Sequence, residues 1–391
     1  MSAVITGQAW RTPLGNEVDA VTLRLLAGDR ALANNPRFDA SSYACTVGAA
    51  LPERPAPSRH ARFVRRMGLY AIECGVEALQ RSGAPGGDRL GLYCGVGGLR
   101  AHWEEMMPAL AAQEPSGEGA WARGLSRLHP FWMLRYLSNN AHALLSAEVG
   151  ARGEGATFGG ANAGAQALSQ AVAALEEGAI DAALVVAYDS LLEPEMLVAL
   201  AASGALARGT VETIAGPYDV AANGAVPGEA AAALVLERRE AAGPRAIALL
   251  EARECADGAK AEPYASTLSL CAAPLARDIG LVDGAARTRA ALDAAERDSL
   301  ADLVGPSTPL IALSASLGAC GAATAVLQAI ALSRLLSYGR LPKIAGLRRA
   351  AKGPLRPIHE AESTTARAAL ALSGGAPGLA GAIRIERLQA N

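Results

Sequence analysis

Residues 158–178 read FGGANAGAQALSQAVAALEEG, and this stretch decides the fold. A turn of small residues leads straight into an amphipathic helix, so backbone N–H groups and the positive helix end converge on the turn. Such a turn is a mounting for a nucleophile, yet residues 158–164 include no Ser, Cys, Thr or Lys. The pattern returns later in the chain. With a shift of 158 positions, Gly160-Ala161 falls on Gly318-Ala319, Gln170-Ala171-Val172 on Gln328-Ala329-Ile330, and Leu168 on Val326. Each helix follows a Gly turn amid alternating strand and helix patterns, which predicts an internal duplication.

The flanking sequence fits two βα-rich halves. In the first, strands are expected over 3–6, 90–94, 183–188 and 231–237, and helices over 17–27, 62–80, 130–145 and from Ala161. In the second, strands are expected over 246–251, 310–314, 368–372 and 382–386, and helices over 286–304 and 319–336. A Pro/Gly-containing stretch at 241–244 sets the boundary, giving halves 1–243 and 244–391. Strands and helices alternating twice over predict a layered α/β architecture with a buried helix pair at its centre.

Composition narrows the function. The 391 residues leave room for two domain-sized units, and 51% hydrophobic content excludes a disordered chain. A net charge of −2 provides no global field for nucleic acid or an anionic membrane. Cys45, Cys74, Cys94, Cys255, Cys271 and Cys320 lack CxxC or Cys/His spacing and read as small buried hydrophobes in a reducing cytosol. The N-terminus lacks a basic region followed by a long apolar run, so a cytoplasmic location is expected. The uncharged stretches 155–175 and 309–333 are long enough to span a bilayer. Both break at Gly-rich turns and read as strand–turn–helix units instead.

Several stretches, in order, carry a resemblance. They are VITGQAWRTPLGNEVDAVTLRLLAGDRAL at 4–32, LHPFWMLRYLSNNAHALLSAEVGARG at 128–153, PYDVAANGAVPGEAAAALVLERREAA at 217–242 and SLGACGAATAVLQAIALSRLL at 316–336. Together they make the chain resemble, essentially end to end, the β-ketoacyl-acyl-carrier-protein synthases of the thiolase fold. That resemblance implies two thiolase-like halves in an α-β-α-β-α stack. It also implies a catalytic Cys three residues before a helical Gly, two His and a Lys.

In this chain those positions hold other residues. Gly164 places Ala161 at the nucleophile. DGAARTRAALDAAE at 283–296, anchored by Asp293 and Glu296, matches the His-Gly-Thr-Gly-Thr run and places Ala285 at the first His. The GACG turn at 318–321 places Ala315 at the second His and Leu310 at the Lys, and GGAPG at 374–378 puts Ala376 at the Phe of a C-terminal loop. Thioester condensation needs a thiolate, and Ala161 has no atom that can take an acyl chain. Loss of one oxyanion donor costs on the order of 10²–10³ in rate, and both His are absent.

The remaining candidates each have two readings. Asn162 either hydrogen-bonds a substrate carbonyl or caps the helix. Trp103, Trp121, Trp132, Met106, Met107 and Met133 either line an acyl tunnel near a subunit interface or pack a core. Arg62, Arg65 and Arg66, and likewise Arg348 and Arg349, either dock an acidic carrier protein or form solvated helix faces. The five His show no catalytic spacing.

The resemblance therefore implies a catalytically silent, chain-length-factor-like subunit of type II polyketide, aryl polyene or fatty acid systems. Its expected partners are an active ketosynthase and an acyl carrier protein, with a homodimer possible in isolation. No cofactor, metal or nucleic acid is implied. The alternatives are an enzyme with altered acyl-transfer or decarboxylation chemistry and a homodimeric protein that holds acyl chains without reacting.

Overall fold

The computed structural model describes residues 3–98, 103–111, 124–256, 264–374 and 378–388. Ten principal strands are β1 (Ala3–Arg11), β2 (Leu90–Val96), β3 (Gly155–Gly159), β4 (Ala182–Ser190), β5 (Glu229–Arg238), β6 (Ala248–Ala256), β7 (Ile279–Asp283), β8 (Pro309–Ile311), β9 (Ala368–Ser373) and β10 (Leu379–Arg387). The helices used below are α1 (Val18–Ala27), α2 (Arg66–Ser82), α3 (Trp103–Leu110), α4 (Trp132–Tyr136), α5 (Asn140–Val149), α6 (Ala163–Glu176), α7 (Pro194–Ala202), α8 (Tyr264–Ala272), α9 (Ala290–Val304) and α10 (Thr324–Tyr338).

The duplication is visible in strand order. From one edge the first half runs β3-β2-β4-β5-β1, and the second runs β8-β7-β9-β10-β6. The pairing sense repeats as well. β2 is parallel to β3 and β4, and β5 is antiparallel to β4 and β1. Likewise β7 is parallel to β8 and β9, and β10 is antiparallel to β9 and β6. The halves join where β1 pairs antiparallel with β6.

Alternation along the strands explains the layers. Ala183, Val185 and Ala187 of β4 face a core shared with α6 and α10, while Ala182, Leu184 and Val186 face α2 and α5. In the second half, Ala369 and Ala371 of β9 enter the same shared core, and Leu370 and Leu372 face α8 and α9. The order is therefore α-β-α-β-α with α6 and α10 in the middle. The first turn of α6 meets the turn just before α10 so closely that a Cβ on Gly164 would lie 2.2 Å from the Ala322 carbonyl oxygen.

Some elements differ from the sequence expectation. The single helix expected over 130–145 is two, because Leu137 is extended and Asn140 Nδ2 turns back to the Leu134 carbonyl at 3.0 Å. The strand expected over 310–314 stops at Ile311, where Asp283 Oδ1 accepts the Leu313 N–H at 2.9 Å and starts a turn. Helix α9 begins at Ala290 rather than at 286, because Ala286 and Thr288 have positive φ. Among the described residues no helix is long and apolar enough to cross a membrane.

Candidate active site

Strand β3 delivers the chain to the turn before α6, and Ala161 stands exposed at its apex. Ala161 and Ala285 both border a cavity of about 270 Å³. Two of the three positions expected to be vacant catalytic sites thus border one cavity. The third does not: Ala315 is 3% exposed, faces the core around Tyr218 and Leu355, and leaves its neighbour Ser314 on the cavity wall. Leu310, expected from the sequence at the family's Lys position, is a fully buried residue of β8.

The loop bearing Ala285 is held from behind by one carboxyl. Glu296 accepts N–H bonds from Ala285 at 2.8 Å and Ala286 at 3.1 Å, and the Tyr218 hydroxyl at 3.2 Å. Position 284 must be Gly, because a Cβ there would sit 1.7 Å from the Tyr218 hydroxyl oxygen. Ala286 and Thr288 then take φ of 48° and 55°, a region that a β-branched residue adopts at real cost. Thr288→Gly is expected to raise unfolding stability by about 1 kcal/mol, read by urea titration; an equal loss would show that no strain resides there.

Burial drives three carboxyls beneath the site upward. Glu296 is pushed up to about 8 by burial and by the charge of Asp293, Asp283 to about 7 and Asp293 to about 6, both by burial. A carboxyl with a raised pKa in the fold is neutral in both states below its unfolded pKa, near 4, and its full contribution to folding is present there. That contribution is lost as pH rises through about 6 to 8. The melting temperature is expected to fall between pH 5 and pH 9, and Glu296→Gln should flatten the alkaline part of that fall. A Tm that rises over this range would contradict the assignment.

No reactive thiol borders the large cavity. Cys94 is buried and pushed up to about 12 by desolvation. Cys320 borders a neighbouring void of about 20 Å³, where burial first, and then the charges of Asp189 and Glu229, raise its thiol. Thiolates are the nucleophilic form, so neither stands in for the missing Cys.

The other candidates fall elsewhere. Asn162 is the residue before α6 but makes no side-chain cap; it is buried, with Oδ1 accepting the Ser373 hydroxyl at 3.3 Å. Trp132 stacks on Tyr136 at 5.1 Å, Met106 is half-buried, and Met107 and Met133 are 51% and 67% exposed. None of these lines the cavity, whose apolar wall is built instead by Leu191, Met196 and Leu200. The reason is local: Glu105 of α3 pairs with Arg65, just before α2, at 2.7 Å and with Arg135 of α4 at 3.0 Å, tying these segments together away from the cavity lining. Trp103 begins α3, but its side chain, Trp121 and Ala376 lie outside the described residues.

The basic candidates divide in the same way. Arg65 is spent on Glu105, and Arg66 on the fully buried Glu229, with bonds of 2.9 and 2.7 Å. Both brace the fold instead of presenting charge to a carrier protein. Arg62, over the Phe63 ring at 5.5 Å, and Arg348 and Arg349 remain on the surface.

Sequence reasoning missed Arg287, which borders the cavity and donates to the Gly374 carbonyl. Its signal was its place inside the stretch 283–296, which was expected to match the His-Gly-Thr-Gly-Thr run. Met196 and Leu200 had no such signal; α7 brings them in from a segment that reads as an ordinary apolar helix.

Comparisons place this geometry among known proteins. The family model described as "Beta-ketoacyl synthase, N-terminal domain" matches residues 2–242. The chain is 26% identical over 254 residues to 3-oxoacyl-[acyl-carrier-protein] synthase 2 of Staphylococcus aureus, covering 62% of this chain and 60% of that one. It thus spans about 60% of that relative's length. It is 26% identical over 370 residues to the chloroplastic 3-oxoacyl-[acyl-carrier-protein] synthase I of Arabidopsis thaliana, covering 86% of this chain and 76% of that one. In fold it is similar to a beta-ketoacyl synthase from Burkholderia phymatum, with TM-score 0.83, 22% identity and coverage of 99% and 100%. It is likewise similar to the ishigamide ketosynthase/chain length factor, with TM-score 0.84, 19% identity and 99% of both chains covered. The fold is that of the ketosynthases, and the chain belongs to the beta-ketoacyl synthase family.

Proposed function

We propose that this chain is a non-condensing ketosynthase-fold subunit of the chain-length-factor type. It would pair with an active β-ketoacyl synthase, work with an acyl carrier protein, and shape the acyl tunnel in type II polyketide, aryl polyene or fatty acid biosynthesis. The observation that carries the reading is that Ala161 and Ala285 both border the cavity at the start of α6. The helix end and the cavity are kept, and the atoms that perform the condensation are not. The positive φ at 286 and 288 supports the register, since those are the two Gly positions of the family's His loop. The likeness to a ketosynthase/chain length factor agrees with it.

The surface supports pairing. Strand β3, GATFG, is an edge strand without charge or proline, and no strand of the described residues covers its outer side. Nearby in sequence, Phe131, Met133, Leu134 and Leu137 expose between 39% and 67% of their surface, an apolar area of the kind that subunits cover. Arg62, Arg348 and Arg349 are the candidates that remain available for an acidic carrier protein.

Co-expression with a ketosynthase that retains its Cys and both His should give a stable 1:1 heterodimer. Intact-mass analysis after incubation with acyl-carrier thioesters should find the acyl group on the partner alone. A covalent adduct on this chain, or a homodimer with no affinity for any ketosynthase, would contradict the reading.

A further inference from the structure

Of the six cysteines, Cys255 alone is not buried, and it stands beside a second thiol. It lies near the end of β6, opposite Ala380 of β10 in the antiparallel ladder, and packs against the core beneath α8. Cys271 of α8 points down onto the same place, with Sγ 3.6 Å from the Ala380 carbonyl and 3.5 Å from the Arg253 carbonyl. There the Cys255 thiol is a hydrogen-bond neighbour of the Cys271 thiol. Cys45, Cys74 and Cys320 instead direct their thiols at backbone carbonyls, and Cys94 is buried in β2. Burial first, and then Cys255, raises the Cys271 thiol, so Cys271 waits as the protonated member of the pair. Cys255 is the member that an oxidant reaches.

We propose that Cys255 and Cys271 are a modification site that forms a reversible disulfide on reaction with a hydroperoxide, tying α8 to β6. The Cys255 thiolate attacks a peroxide oxygen, the O–O bond breaks, and the leaving hydroxide or alkoxide takes a proton and departs as water or alcohol. Cys255 is then a sulfenic acid. The Cys271 sulfur attacks it, the S–O bond breaks, and the hydroxide leaves as water with the Cys271 proton. Two thiols thus lose two electrons, and one hydroperoxide gains them. Proximity offsets the low thiolate fraction of Cys271, because the second step is intramolecular. Thiol reductants such as glutathione return the pair to its resting form, so the bond lasts only while oxidant is present. The cross-link closes the fifteen residues between the two positions. It also braces α8, which packs on α9, the helix whose Glu296 holds the loop at 285–286. The chemistry requires neither a partner subunit nor the non-condensing reading.

The test treats the full chain with hydrogen peroxide at neutral pH, counts thiols after denaturation, and maps peptides by mass without reductant. The expected result is the loss of two of the six thiols, an intact mass lower by two hydrogens, and one linked peptide pair holding Cys255 and Cys271. Dithiothreitol should restore all six thiols. The oxidised protein should melt about 3 °C higher, because the unfolded chain then carries a closed loop. Cys255→Ser changes a half-buried position, should fold, and should keep its remaining thiols through the same treatment. Cys271→Ala should stop at the sulfenic acid on Cys255, which dimedone traps. Six intact thiols under peroxide that oxidises free cysteine, a bond between other cysteines or between two chains, or a lower melting temperature after oxidation would each overturn the proposal.

Discussion

Ala161→Cys is expected to give a protein with a reactive thiol and no condensing activity. Position 161 is exposed at the start of α6, where converging N–H groups and the helix dipole lower a thiol pKa, so iodoacetamide should alkylate the variant readily. Condensation needs more than the thiolate. The oxyanions formed on decarboxylation and attack require donors that Ala285 and Ala315 cannot supply, and each missing donor costs on the order of 10²–10³ in rate. If the two act independently, the variant stays on the order of 10⁴–10⁶ below an intact synthase. The measurement is β-ketoacyl product formed from acyl- and malonyl-carrier protein. Turnover within about tenfold of an intact synthase would show that the oxyanion donors lie elsewhere in the site.

Glu229→Ala is expected to destabilise the fold by about 3 kcal/mol, the lower part of the range for breaking a buried ion pair. Glu229 is fully buried on β5 and accepts bonds from Arg66, Arg37, the Leu51 N–H at 2.9 Å and the Ser190 hydroxyl at 3.1 Å. Burial opposes ionisation, but the hydrogen bonds and charges of Arg66 and Arg37 hold the carboxyl below its ordinary value. The carboxylate thus ties β5, α2 and the segment at 37–51 together beside the cavity. Removing it leaves two guanidinium groups without their counter-charge. Because their side chains are 26% and 28% exposed, water recovers part of the loss, which is why the lower figure is expected. Urea unfolding would measure it; a change below about 1 kcal/mol would mean that the network contributes geometry without stability.

The two-helix centre was legible because small residues and helical periodicity recur at 160–172 and 318–330, and α6 and α10 do lie together in the core. Strands rich in Ala, Val and Leu, such as β4 and β5, were equally plain because both faces are buried. Strand β7 was not seen at all, since IGLVD is short and takes its place only by pairing with β8 and β9. The start of α9 was placed too early because Ala286 and Thr288 are ordinary residues locally and adopt positive φ only under the hold of Glu296 and Tyr218. At the site, flanking Gly, Asp and Glu pointed to Ala161 and Ala285, and both residues border the cavity. The cavity wall could not, because Leu191, Met196 and Leu200 reach it through tertiary packing. Nor could sequence separate Arg65, paired with the half-buried Glu105, and Arg66, paired with the buried Glu229, from Arg348 and Arg349 on the surface.

The central claim is that the fold keeps the ketosynthase site and omits the condensation. The direct measurement is β-ketoacyl-carrier-protein formation by the purified chain, alone and then mixed with an active ketosynthase, from the same acyl- and malonyl-carrier substrates. No product from the chain alone, with product length or yield changed on mixing, is the predicted result. Multiple turnovers by the chain on its own would contradict the account.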